Sequence, residues 1–498
     1  MPPKPHRKCT LSHYRAVRFL SRNAWVALTT AGTLRRGQPS QGAWRVGPWR
    51  EDVIQEMTSS RAFDVGINDR LPLGQLLVLG LQHVFGMTGM FVFPGLLGRS
   101  FNLPAERIAY LYGMTFVVCG LITILQSVWL LRLPVVQGTY AGNFAALLAV
   151  GHMQSGGLGA AYGSFFAASL VWCLLSVPIR RWSFIGLFAR FLRAPIISGI
   201  IVMLTIIQVA DVALPNWIGL PSTPGFPLVN ILAGAVAVAV LIGATVWGGK
   251  YLRRAAILIA LAAGTACYAA LRPISLASVA RAPLLVTPQW FPFGFSVRPE
   301  LVVVFLLVLI PAGMGSMAMY EMVGLWGNEK LTAERMSQGI FAVAIGSVLA
   351  GIVGAFSTIV YPDNMGMLRT TRVGSRYATL AAGLILIVLG GCIKFDMLLV
   401  LVPQPVVSAA ATLLFGVVFM HGVQMLSNVD WNDRQLAAAG LAVLVGLGGL
   451  FVSPEVLQTM PLVARLFVQQ PVISGGLTLV VLHSLLCPAA SAREAAQA

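Results

Sequence analysis

Only a handful of residues in this 498-residue chain can do acid–base or hydrogen-bonding chemistry inside long apolar runs. Glu321 lies in Met-Tyr-Glu-Met-Val-Gly, Asp363 and Asn364 lie in Tyr-Pro-Asp-Asn, and His83 follows Gln82 in Gly-Leu-Gln-His-Val-Phe. A carboxylate at the centre of a spanning helix costs about 2.5–3.5 kcal/mol on insertion scales, so it needs a partner or a cavity. Asn364 can donate and accept at once, as recognition of a polar planar ligand requires. Each residue also has a plainer reading. Asp363 after Pro362 could cap a helix start, Glu321 could sit at a helix end facing the cytoplasm, and His83 could be a packing hydrogen-bonder. Asp211 reads as an interfacial residue.

The surroundings make those runs membrane spans. Hydrophobic residues are 57% and charged residues 10% of the chain, with mean hydropathy +0.81, whereas soluble domains carry about 25% charge. The net charge of +17 is placed in short loops and ahead of Met57, which sets topology and argues against nucleic acid. Residues 1–70 are expected to be a basic, disordered extension. Its first 56 residues hold ten Lys/Arg against three acids and no continuous apolar stretch long enough for a secretory signal or a spanning helix, and a transit peptide or a true start at Met57 are the alternatives. The six cysteines (Cys9, Cys119, Cys173, Cys267, Cys392 and Cys487) are scattered without metal-ligand spacing. No metal, cofactor or enzyme chemistry is expected, because no nucleophile–base or ligand constellation appears.

About fourteen spans are expected, near 73–96, 107–131, 135–153, 157–178, 193–214, 228–248, 253–271, 300–326, 337–354, 356–374, 377–394, 398–424, 434–452 and 470–487, with a short tail at 488–498. Loops on the N-terminal side carry about twice the Lys/Arg of the opposite loops, so both termini should be cytoplasmic. Residues 133–143 and 356–364 are β-branched and broken by Gly or Pro, which favours extended backbone. Extended backbone at membrane depth is tolerated only inside protein or beside a water-filled cavity. The two stretches fall in the third and tenth spans, and segment 194–203 echoes 404–413 in the fifth and twelfth. The fold class is therefore an all-α polytopic membrane protein built as 7+7 inverted repeats, with a transporter site near the midplane.

At these residues the chain resembles the nucleobase:cation symporter-2 family, the nucleobase and ascorbate transporters. Asp363 followed by Asn364, Gly366, Thr371 and Arg372 matches the spacing of the family motif, although Asp is not its usual first residue. Gln82-His83, Gln137-Gly138-Thr139 and Glu321-Met322-Val323-Gly324 resemble its motifs in the first, third and eighth spans. Leu325 stands where the family usually has Asp or His, and Ala141 where it often has an aromatic, with Tyr140 just before. The resemblance implies a core domain (spans 1–4 and 8–11), a gate domain (spans 5–7 and 12–14) and a homodimer in a bacterial inner membrane.

It further implies import of a nucleobase, a purine such as xanthine or urate, or uracil, by proton symport. Glu321 would accept from ring N–H groups, and Asn364 with the backbone around Ala141 and Gly366 would serve ring carbonyls. Tyr140 could cover a ring face. Two carboxylates facing one dry cavity cannot both be charged, so Glu321 or Asp363 would carry the coupled proton, with His83 beside them. Gln82, Gly138, Thr139, Gly324, Thr371 and Arg372 complete the motifs as structural positions. The alternative is an anion carrier of the sulfate-permease type, which shares the fold.

Overall fold

The computed structural model describes residues 63–487 apart from 154–156, 179–194, 209, 211–212, 222, 250–251, 254, 428 and 430. The chain divides into residues 1–60 and 61–498, and all described residues belong to the second unit. Asp211, residues 1–56 and the tail at 488–498 lie outside the described residues.

In chain order the first helices are α1 (Leu73–Phe85), α2 (Phe93–Ser100) and α3 (Ala105–Ile124), the last continuing into a π turn over Leu125–Leu130. Strand β1 (Gln137–Thr139) leads into α4 (Ala141–Gly151), followed by α5 (Gly157–Ser176), α6 (Pro195–Gln208) and α7 (Leu214–Ile218). Next come α8 (Leu228–Val246), α9 (Ala256–Leu271), α10 (Ala277–Arg281), α11 (Pro299–Trp326) and α12 (Ala333–Val353). Strand β2 (Thr358–Val360) leads into α13 (Pro362–Thr371), then α14 (Arg376–Gly391), α15 (Ile393–Val400) and α16 (Gln404–Leu426). The chain closes with α17 (Asp433–Gly448), α18 (Pro454–Thr459), α19 (Leu462–Gln469) and α20 (Pro471–Leu486).

Among the described residues, seven helices are long and apolar enough to cross a membrane, or eight if one bent pair counts as a span. This is an integral membrane protein. The helices leave Leu77, Leu121, Leu384, Val388, Met420, Leu444 and Val481 exposed. On a soluble protein such residues would mark an interface, but on spanning helices they meet lipid tails.

Where helices meet, the sequence supplies small residues, because lipid gives no hydrophobic drive and backbones must come close. In α3 and α14 the pairs Gly113–Gly390 and Gly120–Gly383 face each other. A Cβ at Gly120 would lie 2.6 Å from the Gly383 carbonyl oxygen, and one at Gly113 would lie 2.7 Å from that of Gly390. A second, smaller core joins α6, α17 and α20 through Ile197, Leu204, Ala442 and Leu479.

Both interrupted spans are extended where the sequence predicts it, and the two strands pair with each other, antiparallel. One feature differs from expectation. The first span, read as continuous over 73–96, bends by 65° between Leu73–Phe85 and Gly89–Ser100. The cause is tertiary: the N–H of Gly89, which a straight helix would spend on its own carbonyl ladder, donates to the Tyr361 hydroxyl at 2.6 Å. The described end of the expected N-terminal extension, residues 63–70, is part of this unit, with Phe63 and Ile67 buried in the main core.

Candidate substrate site

The site is built on the strand pair. Gln137 is opposite Val360, Gly138 opposite Ile359 and Thr139 opposite Thr358. Two more backbone bonds extend the ladder, from Tyr140 N to Ser357 O at 2.9 Å and from Tyr361 N to Val136 O at 3.0 Å. Each strand then turns into a helix by the same four-residue device. Tyr140-Ala141-Gly142-Asn143 starts α4, and Tyr361-Pro362-Asp363-Asn364 starts α13. In each, the tyrosine is the N-cap, and the asparagine N–H bonds back to its carbonyl at 3.1 and 3.2 Å. Two helix N-termini, with their unspent N–H groups and positive dipole ends, thus flank one short ladder inside the protein.

The side chains around this ladder are buried. His83 Nδ1 lies 3.1 Å from Asn364 Oδ1, and since an amide oxygen only accepts, the imidazole donates. Asn364 is fully buried, and its Nδ2 has no hydrogen-bond partner in the protein. The same holds for Thr139 Oγ1, Gln137 Oε1, Gln82 Oε1 and Asn143 Nδ2. Buried polar atoms are paired in the great majority of cases, so several orphans around one ladder mark a place made for a polar ligand or water.

Two aromatic rings close the site. The Tyr361 ring lies on Gly138, where a Cβ would meet Cδ2 at 2.2 Å. The Tyr140 ring folds over Gly142 of its own first turn, with Cζ and the hydroxyl 2.5 Å from a Cβ there. Glu321 is half-buried on α11. That helix touches the ladder through Ser316, whose Oγ accepts from Val360 N at 3.3 Å; Glu321 follows about 7.5 Å further along the axis.

The expected residues therefore separate into two groups. His83, Gly138, Thr139, Tyr140, Ala141 and Asn364 come together at the strands, with Gln82 beside His83. Asp363 is in the first turn of α13, but Tyr361, not Asp363, holds its N-cap position: the helix starts two residues earlier than a cap at Asp363 would place it, with Pro362 as its first residue. Gly366 follows on α13, where a Cβ would meet nothing within 4 Å. Thr371 and Arg372 end that helix about 12 Å beyond Asn364. Thr371 Oγ1 bonds Met367 O at 2.9 Å, and Arg372, left-handed at φ 56, pairs with Asp64 at 3.5 Å. Gly324 packs under Leu331 at the end of α11.

Sequence reasoning missed Tyr361, Asn143 and Gln126. The first two carry a readable signal, the repeated Tyr-x-x-Asn. Gln126 sits in the π turn, where its Nε2 donates to Gly339 O at 3.0 Å and to the Tyr320 hydroxyl, and its Oε1 accepts from Gln137 Nε2. This holds Gln137 of β1 to the residue preceding Glu321.

Paired strands, buried amides and two helix starts inside a bundle of apolar helices define a membrane permease. The Xan_ur_permease family model, described as a permease family, matches residues 74–455, and the chain belongs to that family, nucleobase:cation symporter-2. It is 29% identical over 420 residues to the nucleobase transporter PlUacP of Paenibacillus larvae, covering 82% of this chain and 94% of that protein. Against the uric acid permease PucJ of Bacillus subtilis it is 29% identical over 433 residues, covering 82% and 92%. Against the xanthine permease XanP of Escherichia coli it is 28% identical over 448 residues, covering 85% and 94%. Among solved structures, the murine Slc26a9 anion transporter in its inward-facing state matches with TM-score 0.51 at 11% identity, covering 97% of this chain and 77% of that one. That likeness shows the fold alone.

Proposed function

We propose that this permease imports a nucleobase, a purine such as xanthine or urate, or uracil, by proton symport. The observation that carries the reading is the Asn364 amide: His83 holds its oxygen, so its two N–H donors are aimed and unspent in a buried site. Such a group suits a ring carbonyl and is costly to leave unpaired, which rejects ligands lacking the acceptor. Thr139 and the first-turn N–H groups of α4 and α13, at Ala141 and Asp363, extend the donor set, with Gly366 one turn further along α13. Tyr140 closes over the ring, and Glu321 accepts a ring N–H. Glu321 and Asp363 share the coupled proton, with His83 fixing the amide between binding and release. The relatives named for uric acid and xanthine support a purine.

The same reading takes the chain as fourteen spans in 7+7 inverted repeats, with spans 1–4 and 8–11 as core and spans 5–7 and 12–14 as gate. The repeated Tyr-x-x-Asn at the two helix starts supports it. A homodimer in a bacterial inner membrane with cytoplasmic termini completes the proposal.

Uptake of radiolabelled xanthine, urate and uracil into cells lacking their own permeases tests it. Accumulation of one of them is expected, abolished by a protonophore and by Glu321→Gln. Uptake of none of them refutes the substrate class, and accumulation indifferent to pH and protonophore refutes the coupling.

A further inference from the structure

Away from the strand ladder, Asp396 is an acidic side chain with no visible reason to be where it is. It lies on α15, the short helix that connects the apolar helices α14 and α16. It is fully buried, and neither carboxyl oxygen has a hydrogen-bond partner. The carboxyl group occupies a notch that exists because residue 113 is glycine: a Cβ there would come within 2.6 Å of Asp396 Oδ2. An ionised carboxylate in such a place has neither solvent nor counter-charge, whereas the neutral acid fits. Burial, and secondarily the nearby Cys392 thiol, lift this carboxyl group to about 9.

The charged and titratable groups around it offer no rescue. Cys392 and exposed Lys394 lie on its own segment. On α3, Tyr112 is engaged with the Phe91 carbonyl at 3.0 Å, Tyr110 with the carbonyls of Gln289 and Val353, and Arg107 with Gln289. Arg281 on α10 is exposed, and Arg376 begins α14 at its far end. The other end of the same segment is tied down independently, since Arg99 of α2 donates through Nη2 to the carbonyls of Val400, at 3.0 Å, and Val402. Residues 393–402 are thus held at one end by a cation on carbonyls and at the other by Ile393 N–H on Leu284 O at 3.1 Å, with Phe395 packed on Phe116 of α3 and the unpaired carboxyl group in its glycine notch between them.

We propose that Asp396 is a proton-binding site separate from the substrate site, and that the bound proton keeps the 393–402 segment seated on α3. Taking up a proton from water makes the group neutral and fits it to the notch; losing it leaves a bare charge that the segment can hydrate only by lifting off.

Infrared spectroscopy of purified protein carrying carbon-13-labelled aspartate reads this directly, because the carbonyl stretch of a protonated aspartic acid then separates from that of glutamic acid. A labelled protonated band is expected at pH 7 in wild type and in Asp363→Asn, and its loss is expected in Asp396→Asn and in wild type above about pH 9. Hydrogen exchange across 393–402, corrected for its intrinsic pH dependence, should rise through the same range in wild type and stay flat in Asp396→Asn. Absence of the band in wild type at pH 7, or its survival in Asp396→Asn, overturns the proposal. If Asp396→Asn does not fold, Asp363→Asn decides: a persisting band that titrates away at high pH supports the site, and a vanished band overturns it.

Discussion

Asn364 has two jobs that one pair of substitutions can separate. Its oxygen accepts from His83 across 281 residues of sequence, and its unpaired nitrogen is the donor to the ligand in the function proposed above. Asn364→Asp keeps an acceptor facing His83, and the imidazole can meet it with equal or greater strength because the bond becomes charge-assisted. The same change replaces the only donor with a second acceptor. Loss of one buried hydrogen bond with the facing carbonyl left unpaired costs about 1–3 kcal/mol, equivalent to about a 5- to 140-fold loss of affinity. Asn364→Ala removes both jobs, so it should also lower thermal stability by about 1–3 kcal/mol, since His83 is left buried without this acceptor. The assay is paired: apparent affinity from radiolabelled uptake in vesicles, and melting of the purified protein without ligand. Asp should melt like wild type and bind poorly, while Ala should fail both tests. An Asp variant with wild-type affinity would refute the donor role, and an Ala variant melting like wild type would refute the His83 pairing.

Substitutions at three further positions probe the frame. Gly138→Ala puts a methyl group into the Tyr361 ring, whose hydroxyl is already committed to Gly89, so a loss of about 1–3 kcal/mol is expected in thermal unfolding. Gln126→Ala removes a buried amide that bonds Tyr320, Gly339 and Gln137. It should cost about 2–4 kcal/mol, and Gln126→Glu, which keeps the shape and the acceptor but not the donors, should recover only part of that. Gly366→Ala meets no atom within 4 Å and removes a helix-interior glycine, so melting should be unchanged or rise by about 0.5–1 kcal/mol equivalent; a fall would mean the space there is occupied in the folded protein.

Much of this arrangement can be read in the sequence because lipid leaves the backbone few options. Gly and β-branched residues in 133–143 and 356–364 cannot continue a lipid-facing helix, so extended backbone held inside protein follows, and β1 and β2 are there. His83 and Asn364 stand out as polar residues in apolar runs, and they meet. The bend in the first span does not show, because Gly86 and Gly89 look like the many glycines of helix seams; what breaks the span is a hydroxyl 272 residues away. Gln126 is hidden for a related reason. Its π turn lies in a helix apolar on every side, where no periodicity reveals an extra residue per turn. The cap of α13 falls two residues before Asp363, at Tyr361, because Tyr361 N–H still pairs with Val136 of the first strand segment and Pro362 suits the first helical position.

The Tyr361 hydroxyl carries a consequence for motion. It fastens the elbow of the first span to β2, while β2 is laced to β1 and Asn364 to His83. Loosening any one of these in a dry interior would strand donors with no water to take them. Under the function proposed above, the pieces around the ladder would therefore travel as a single block, and exposure of the cargo first to one aqueous side and then to the other would come from that block sliding against its neighbours rather than from a flap opening within it.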